Sequence, residues 1–409
     1  MSTERAHDLV LFGATGFTGE LTASYLARNA PAGCRWALAG RNPSKLEAVR
    51  DRLAEIDPRC AELPLLSADV SDPESLRRLA ASSRTVITTV GPYIRYGEPL
   101  VEACADAGTD YVDLTGEPEF VDRMYAHHHA RAAETGARIV HACGFDSVPH
   151  DLGVHFTVGQ LPEGRPLQVK GMVRAGARAS GGTLHTLVTA ATRFRETARA
   201  AQQRRELEPK TSRRVSSRAG SLRHDGKAGA WLLPFPSLDP RIVAGSARAL
   251  DRYGPEFTYR HHIAARHLTT VLGIGAGMGL LAVAAQVRPL RDKVLGLIAP
   301  GQGPSPQRRA ESWFRIRFVG EGGGQRVVTE VAGGDPGYDE TAKMLAESAL
   351  SLAFDDNPAS AGQVTPAAAM GEALTRRLVR AGMTFRVIAR ETSPETGSQQ
   401  GVLPTVVHQ

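Results

Sequence analysis

Three glycines at fixed spacing, Gly13-x-x-Gly16-x-x-Gly19, follow the apolar run 9–12 and precede a helical pattern at Leu21, Tyr25 and Leu26. A strand, tight turn and helix in that order set unpaired helix N–H groups against a pyrophosphate. Thr15, Phe17 and Thr18 would flank the anion within the turn. The next apolar run, 35–40, ends in Gly40-Arg41-Asn42. A carboxylate there would bond a ribose 2′-hydroxyl, whereas a guanidinium grips a 2′-phosphate through two parallel hydrogen bonds. The turn therefore reads as a dinucleotide site for NADPH/NADP, with Arg41 and Asn42 at the ribose. Asp69 and Val70, closing the third run, would lie near the adenine. Gly91, Pro92 and Tyr93, closing the fourth, would lie at the carboxyl edge, where ligands of open α/β sheets collect.

Groups able to move or orient a proton recur just beyond the strand ends: Tyr93 and Tyr96, then Glu117, then Cys143, Asp146 and His150. Tyr93, Asp146 and His150 are the catalytic candidates. Each position also admits a structural role. Tyr93 could pack on the coenzyme, Asp146-Ser147 could cap a helix, and Cys143 could fill the core. The three successive histidines 127–129 point in different directions on a helix and read as a solvated face, with no metal expected. Short-chain dehydrogenases share the glycine spacing but pair Tyr with Lys four residues on. No tyrosine here has that lysine.

These groups need a scaffold, and the first 150 residues supply an alternation of short apolar runs (8–12, 35–40, 61–66, 84–90, 110–114, 137–142) with amphipathic helical stretches. That rhythm predicts an α/β fold with a Rossmann-type parallel sheet over 1–160. Beyond it, strands at 166–176 and within 312–333 (a Gly-rich hairpin), with helices at 182–194 and 338–354, predict a second α+β domain over 161–355 with a mostly antiparallel sheet. A helix at 366–381 and a strand at 384–389 fall in 356–390, and the tail 391–409 has no periodicity. The polar stretch 195–229 reads as a loop or a helical excursion, and the basic part 193–218 as a solvated loop, or as a dock for an acidic carrier protein or anionic membrane. The run 268–287 carries no charge and four glycines; it is either a buried helix or wall of the second domain, or a membrane-dipping segment.

The chain has 409 residues, 42% hydrophobic and 22% charged, with net charge +6 carried by 43 arginines and only six lysines. Aromatic content is 6% and no nucleic-acid-binding pattern is present, so nucleic acid is not an expected partner. Four cysteines without a CxxC spacing, and a short polar start before the first strand, point to a cytoplasmic protein with reduced thiols. Contact of 268–287 with lipid would place it at the inner face of the plasma membrane.

The motifs GATGFTG, GRN, VGPY, 97–117 (GEPLVEACADAGTDYVDLTGE) and 144–153 (GFDSVPHDLG) resemble the saccharopine dehydrogenase-like superfamily. With GGDPGYDETAKMLAESAL and VTPAAAMGEAL, the chain is most similar to the trans-acting enoyl reductase subfamily. The resemblance implies an NADPH-dependent reductase acting on the C=C of a lipid-like or polyketide acyl thioester, free or borne on a carrier protein. It also implies return of 356–390 onto the nucleotide domain. The other readings are an imine- or amino-acid-reducing oxidoreductase and a non-catalytic membrane-associated NADP(H)-binding protein. A homodimer and peripheral membrane contact through 268–287 complete the expected partners.

Overall fold

A computed structural model describes residues 5–176, 188, 192–217, 221–235, 237–287, 289–290 and 303–392. Strand β1 (His7–Phe12) is buried on both faces. Its alternation sends Leu9 and Leu11 to one core and Val10 and Phe12 to the other. A strand with two dry faces belongs inside a parallel sheet. Around it lie β2 (Trp36–Gly40), β3 (Leu65–Ser67), β4 (Ser83–Thr88), β5 (Asp110–Val112) and β6 (Arg138–Val140). The order is β14-β6-β5-β4-β1-β2-β3, all parallel, with β14 (Gly362–Val364) added from late in the chain. The order reverses between β1 and β4, which opens a crevice at their carboxyl ends. Strand β3 starts only after Pro64, which has no N–H to give a ladder, so within the run 61–66 residues 61 and 62 end a 3₁₀ turn (Pro58–Glu62) and only Leu65 and Leu66 are strand.

Helices α1 (Phe17–Asn29) and α2 (Pro43–Ala54) lie on one face of this sheet, and α3 (Pro73–Ser82), α5 (Glu98–Ala107) and α6 (Pro118–Thr135) on the other; a one-turn α4 (Tyr93–Tyr96) follows β4. Helix α7 (Val148–Val158) joins the two sheets. A Cβ on its Gly153 would stand 2.3 Å from the Phe318 ring, so only glycine lets the helix lie this close to the second sheet.

The second sheet runs β15-β13-β12-β7-β11-β10-β9, with β8 (Arg214–Ser217) parallel to β11. Its centre is β7 (Leu167–Ala175) beside β11 (Glu256–Ala265), a parallel pair. The other neighbours, β9 (Arg223–Asp225), β10 (Ala230–Pro234), β12 (Phe314–Gly322), β13 (Gln325–Gly333) and β15 (Thr384–Thr392), pair antiparallel. Gly323 and Gly324, with φ of +56° and +73°, make the two-residue turn between β12 and β13.

Several segments differ from the sequence reading. Within 193–218, residues Phe194–Leu207 form helix α8, packed on α6. Buried Glu119 and Asp122 on α6 require cations; Arg193 binds Glu119 through two 2.7 Å bonds, and Arg204 reaches Asp122 at 3.3 Å. Helix α10 (Leu268–Gln286) is neither a core helix nor a wall, because Leu272, Leu280 and Val283 are exposed. After the short α11 (Pro306–Glu311), helix α12 (Asp339–Phe354), though within 161–355, packs on α1, β1, β4 and β5 of the first sheet. The 366–381 helix is broken at Met370 into α13 (Pro366–Ala369) and α14 (Gly371–Arg380). The 182–194 helix and the tail past Thr392 fall largely outside the described residues.

Asp151 ties α7 to two distant elements: it accepts from the Ser246 hydroxyl of α9 (Asp239–Ala249) at 2.6 Å and from Ala367 N–H at 2.8 Å. Burial pushes its carboxyl from 3.8 up to about 7 despite these bonds. The folded state then holds this proton to higher pH than the unfolded chain. The group costs no stability at low pH, costs increasingly as pH rises from about 4 to about 7, and costs its full amount above. Asp151→Asn, neutral and of the same shape, should gain on the wild type across that window. Its melting temperature relative to wild type should be more positive at pH 8 than at pH 5; equal differences at both pH values would contradict the titration.

Candidate active site

The phosphate turn is shaped by missing side chains. Gly13 has φ +89°, and a Cβ there would lie 2.7 Å from Val90 Cγ2. At Gly19 a Cβ would fall 2.1 Å from the Gly13 carbonyl oxygen, so glycine alone lets α1 press against the turn. Gly16 N-caps α1 without a side-chain bond to the helix N–H groups, which leaves them for an anion. Gly16 is exposed, while Thr15, Phe17 and Thr18 are half-buried. The Phe17 ring stands edge-on to Tyr338 at 5.0 Å, with the Arg309 guanidinium 5.5 Å from its centre. These second-domain partners gave no sequence signal.

At the end of β2 the Arg41 side chain is 74% exposed and lies 4.0 Å from Asp69, so its guanidinium is open to a ligand. Asn42 caps α2, accepting from Lys45 N–H at 3.0 Å. Asp69 accepts from the N–H and hydroxyl of Ser71, shaping the exit of β3 beside half-buried Val70. The turn residues and Arg41 fit a phosphorylated dinucleotide: a cradle that any Cβ would fill, open helix N–H groups and an exposed guanidinium at the ribose end.

The Gly91–Pro92 bond, cis, leads into Tyr93. This tyrosine is buried; its hydroxyl donates to Thr88 O at 3.1 Å and accepts from Leu114 N–H at 3.2 Å. Its one proton is thus engaged within the protein, and burial holds the phenol well above its ordinary pKa. Glu117 is a clamp, its two oxygens accepting from Tyr93 and Ile94 N–H at 2.9 and 3.0 Å. Cys143 is fully buried, its thiol pushed far up by desolvation, and it donates to Val140 O. Tyr96 is 41% exposed.

Asp146 and His150 converge with two residues that sequence reasoning missed. His150 Nδ1 is 3.1 Å from Phe145 O and 3.3 Å from Asp239 Oδ1. A carbonyl oxygen only accepts, so Nδ1 carries the proton and Nε2 is left as an acceptor. His261 Nε2 lies 3.5 Å from Asp239 Oδ2, and its Nδ1 is 3.1 Å from the Tyr259 hydroxyl. Ser237 completes the set, donating to Asp239 at 2.6 Å. Burial lowers both imidazoles, His261 to about 3, so both are neutral at pH 7. The half-buried Asp146 carboxyl is raised to about 7, first by desolvation and then by the charge of Asp239. Ser147 heads α7 without a side-chain cap bond, so the Asp146-Ser147 pair does not cap that helix. The arrangement offers a carboxylic acid that holds a proton near neutrality, set by two neutral histidines and a second carboxylate.

The histidine run on α6 also gains a partner from another element. Glu98 of α5 lies 2.7 Å from His127 Nδ1 and 3.4 Å from His128 Nε2, and pairs with Arg123 at 2.6 Å.

Residues 9–140 match the family model of the saccharopine dehydrogenase NADP binding domain. A Mycobacterium tuberculosis protein provisionally named for trans-acting enoyl reductase activity is 40% identical over 94% of this chain and 98% of its own. The trans-acting enoyl reductase of Mycobacterium ulcerans is 37% identical over 93% of this chain and 98% of its own length. Among solved structures, apo saccharopine dehydrogenase (L-Glu forming) from Saccharomyces cerevisiae aligns with a TM-score of 0.54 at 11% identity, over 94% of this chain and 100% of that one. That likeness is one of fold.

Two substitutions test the coenzyme cradle. Gly19→Ala should push α1 off the turn and weaken NADPH binding by about tenfold or more, measured by calorimetric titration. Arg41→Asp should weaken NADPH about 10- to 100-fold, the worth of one or two charge-assisted bonds, while NADH affinity holds. A parallel loss for both coenzymes would place Arg41 away from the 2′-phosphate.

Proposed function

The chain belongs to the trans-acting enoyl reductase family, and from that premise we propose that it is an NADPH-dependent reductase of the carbon–carbon double bond of a lipid-like or polyketide acyl thioester. The observation that carries this reading is the pairing, on one sheet, of a 2′-phosphate-competent cradle with an acid poised near neutral pH. The cradle ends β1 and the acid follows β6; these strands are three places apart, about 14 Å across the sheet.

When bound, the coenzyme supplies a hydride to the β carbon of an enoyl thioester. The chain's own part is to place the acyl group and to protonate the α carbon. Asp146 holds the proton for that transfer. The charge of Asp239 keeps that proton on Asp146 to higher pH through like-charge repulsion, and His150 and His261 hold Asp239 from both sides. His150 acts as a positioning residue, because its only N–H is directed at Phe145 O and Asp239. Gly91, Pro92 and Tyr93 would flank the nicotinamide, with Glu117 clamping the backbone of Tyr93 and Ile94. An amino-acid substrate has less support, since the cluster at Asp146 is acidic and neutral rather than cationic. Four free cysteines accord with a cytoplasmic setting.

The test is NADPH oxidation by the purified protein with a long-chain 2-enoyl thioester. Activity should fall as pH rises through about 7, where Asp146 loses its proton. Asp146→Asn should lower kcat about 10²- to 10⁴-fold while leaving NADPH binding unchanged. Turnover of glutamate plus an aldehyde in place of the enoyl thioester would refute the assignment.

A further inference from the structure

Helix α10 is apolar on every side. It has 19 residues from Leu268 to Gln286 with no charge among them, and only 18% of its apolar window is buried. Leu272, Leu280 and Val283 are 55, 72 and 63% exposed. A helix that docks on one protein partner needs one apolar stripe; apolarity all round calls for a surrounding apolar medium. Among the described residues, Gly273, Gly275, Gly277 and Gly279 meet nothing within 4 Å of a built Cβ, so close packing against those residues does not account for them.

The base of the helix has the composition of a membrane interface. It leaves the end of the second sheet where Trp231 pairs with Ala265 and Phe314 with Ala175. Trp313, beside Phe314, is 43% exposed and receives Gly176 N–H at its carbonyl. Two of the chain's three tryptophans therefore sit at this end, with exposed Arg174, Arg266 and His267 beside them and Arg223 opposite Leu232. Tryptophan and arginine at the root of an apolar helix match the headgroup level of a bilayer, with its aromatic belt and anionic surface.

The connectivity sets the mode of insertion. From Val287 the chain returns to Gly303, which packs on the Phe17 ring, within 16 residues. A second crossing takes about 20 helical residues, and unpaired extended backbone does not cross hydrocarbon. Strands β11 and β12, which flank α10 in sequence, also share one sheet through β7. We infer that α10 and this sheet end form a monotopic docking face that inserts into one leaflet of an anionic lipid bilayer. The face stands on the surface itself; its use in presenting acyl substrate rests on the reductase reading.

The full-length protein is floated with vesicles of phosphatidylcholine, with or without phosphatidylglycerol. It should float with both and bind about tenfold more tightly with the anionic lipid. Brominated acyl chains should quench its tryptophan fluorescence. The double variant Leu280→Asp, Val283→Asp, at two exposed sites, should reduce flotation at least about tenfold, with melting temperature and NADPH affinity unchanged. Wild-type protein that stays soluble would overturn the inference. So would a dimer in size-exclusion chromatography that the double variant dissolves while vesicle binding is absent in both. NADPH titration and enoyl turnover on the same samples keep failure of docking separate from failure of the reductase reading.

Discussion

Helix α1 reaches the phosphate turn because nothing stands between Gly19 and the carbonyl of Gly13. One added carbon at 2.1 Å would move the helix and carry its N–H groups away from the crevice. Much of the molecule serves to hold that contact. Tyr25, on the outer part of α1, donates to Glu347 of α12 at 2.7 Å, and Arg377 of α14 joins Glu347 at 3.1 Å and Asp355 at 2.8 Å. The late segment thus returns to brace the earliest helix, so the nucleotide half is completed by residues more than 300 positions downstream. Chain order and domain order differ here because α12 is buried all round from Met344 to Ala353, with Met344, Leu345, Ala349 and Leu350 in the core that Leu9 and Leu11 of the parallel sheet share.

The seam between the two sheets follows a different constraint. Buried ionisable groups must find partners or neutralise, and this seam collects Asp146, His150, Asp239 and His261. Neutral histidines and a carboxyl that keeps its proton are the low-cost state of such a cluster. That same state is a proton reservoir at physiological pH. Asp151, a few residues along α7, is raised for the same reason but is bound by Ser246 and Ala367, and so braces structure.

The buried cluster and the apolar helix share the second sheet. Strand β11 contributes His261 to the cluster at its middle and leads directly into α10 at its end. The cluster and the apolar helix are therefore joined by one strand, with His262, Ala264 and Ala265 buried between them.

Local chemistry was legible in the sequence wherever it acts within a few residues. The glycine spacing, the arginine after β2, the β12–β13 hairpin glycines and the strand–helix alternation each depend on backbone dihedrals or on neighbouring side chains, which sequence order alone prescribes. Tyr93 looked like a donor because its position after β4 was readable, while the engagement of its hydroxyl by Thr88 and Leu114 was not. The basic 193–218 stretch looked like a loop because the carboxylates of Glu119 and Asp122 that organise it lie some 70 to 80 residues away. Asp239 and His261 carry no periodic or motif signal, and their roles exist only once α7, α9 and β11 meet. The apolar run 268–287 announced its hydrophobicity, but whether it was core or surface depended on where the two sheets left room. Sequence thus determined the coenzyme turn and the strand–helix alternation of the first half through short-range geometry. Tertiary structure decided which ionisable groups share a dry site and which apolar surface stays uncovered, because both are set by contacts between elements far apart in the chain.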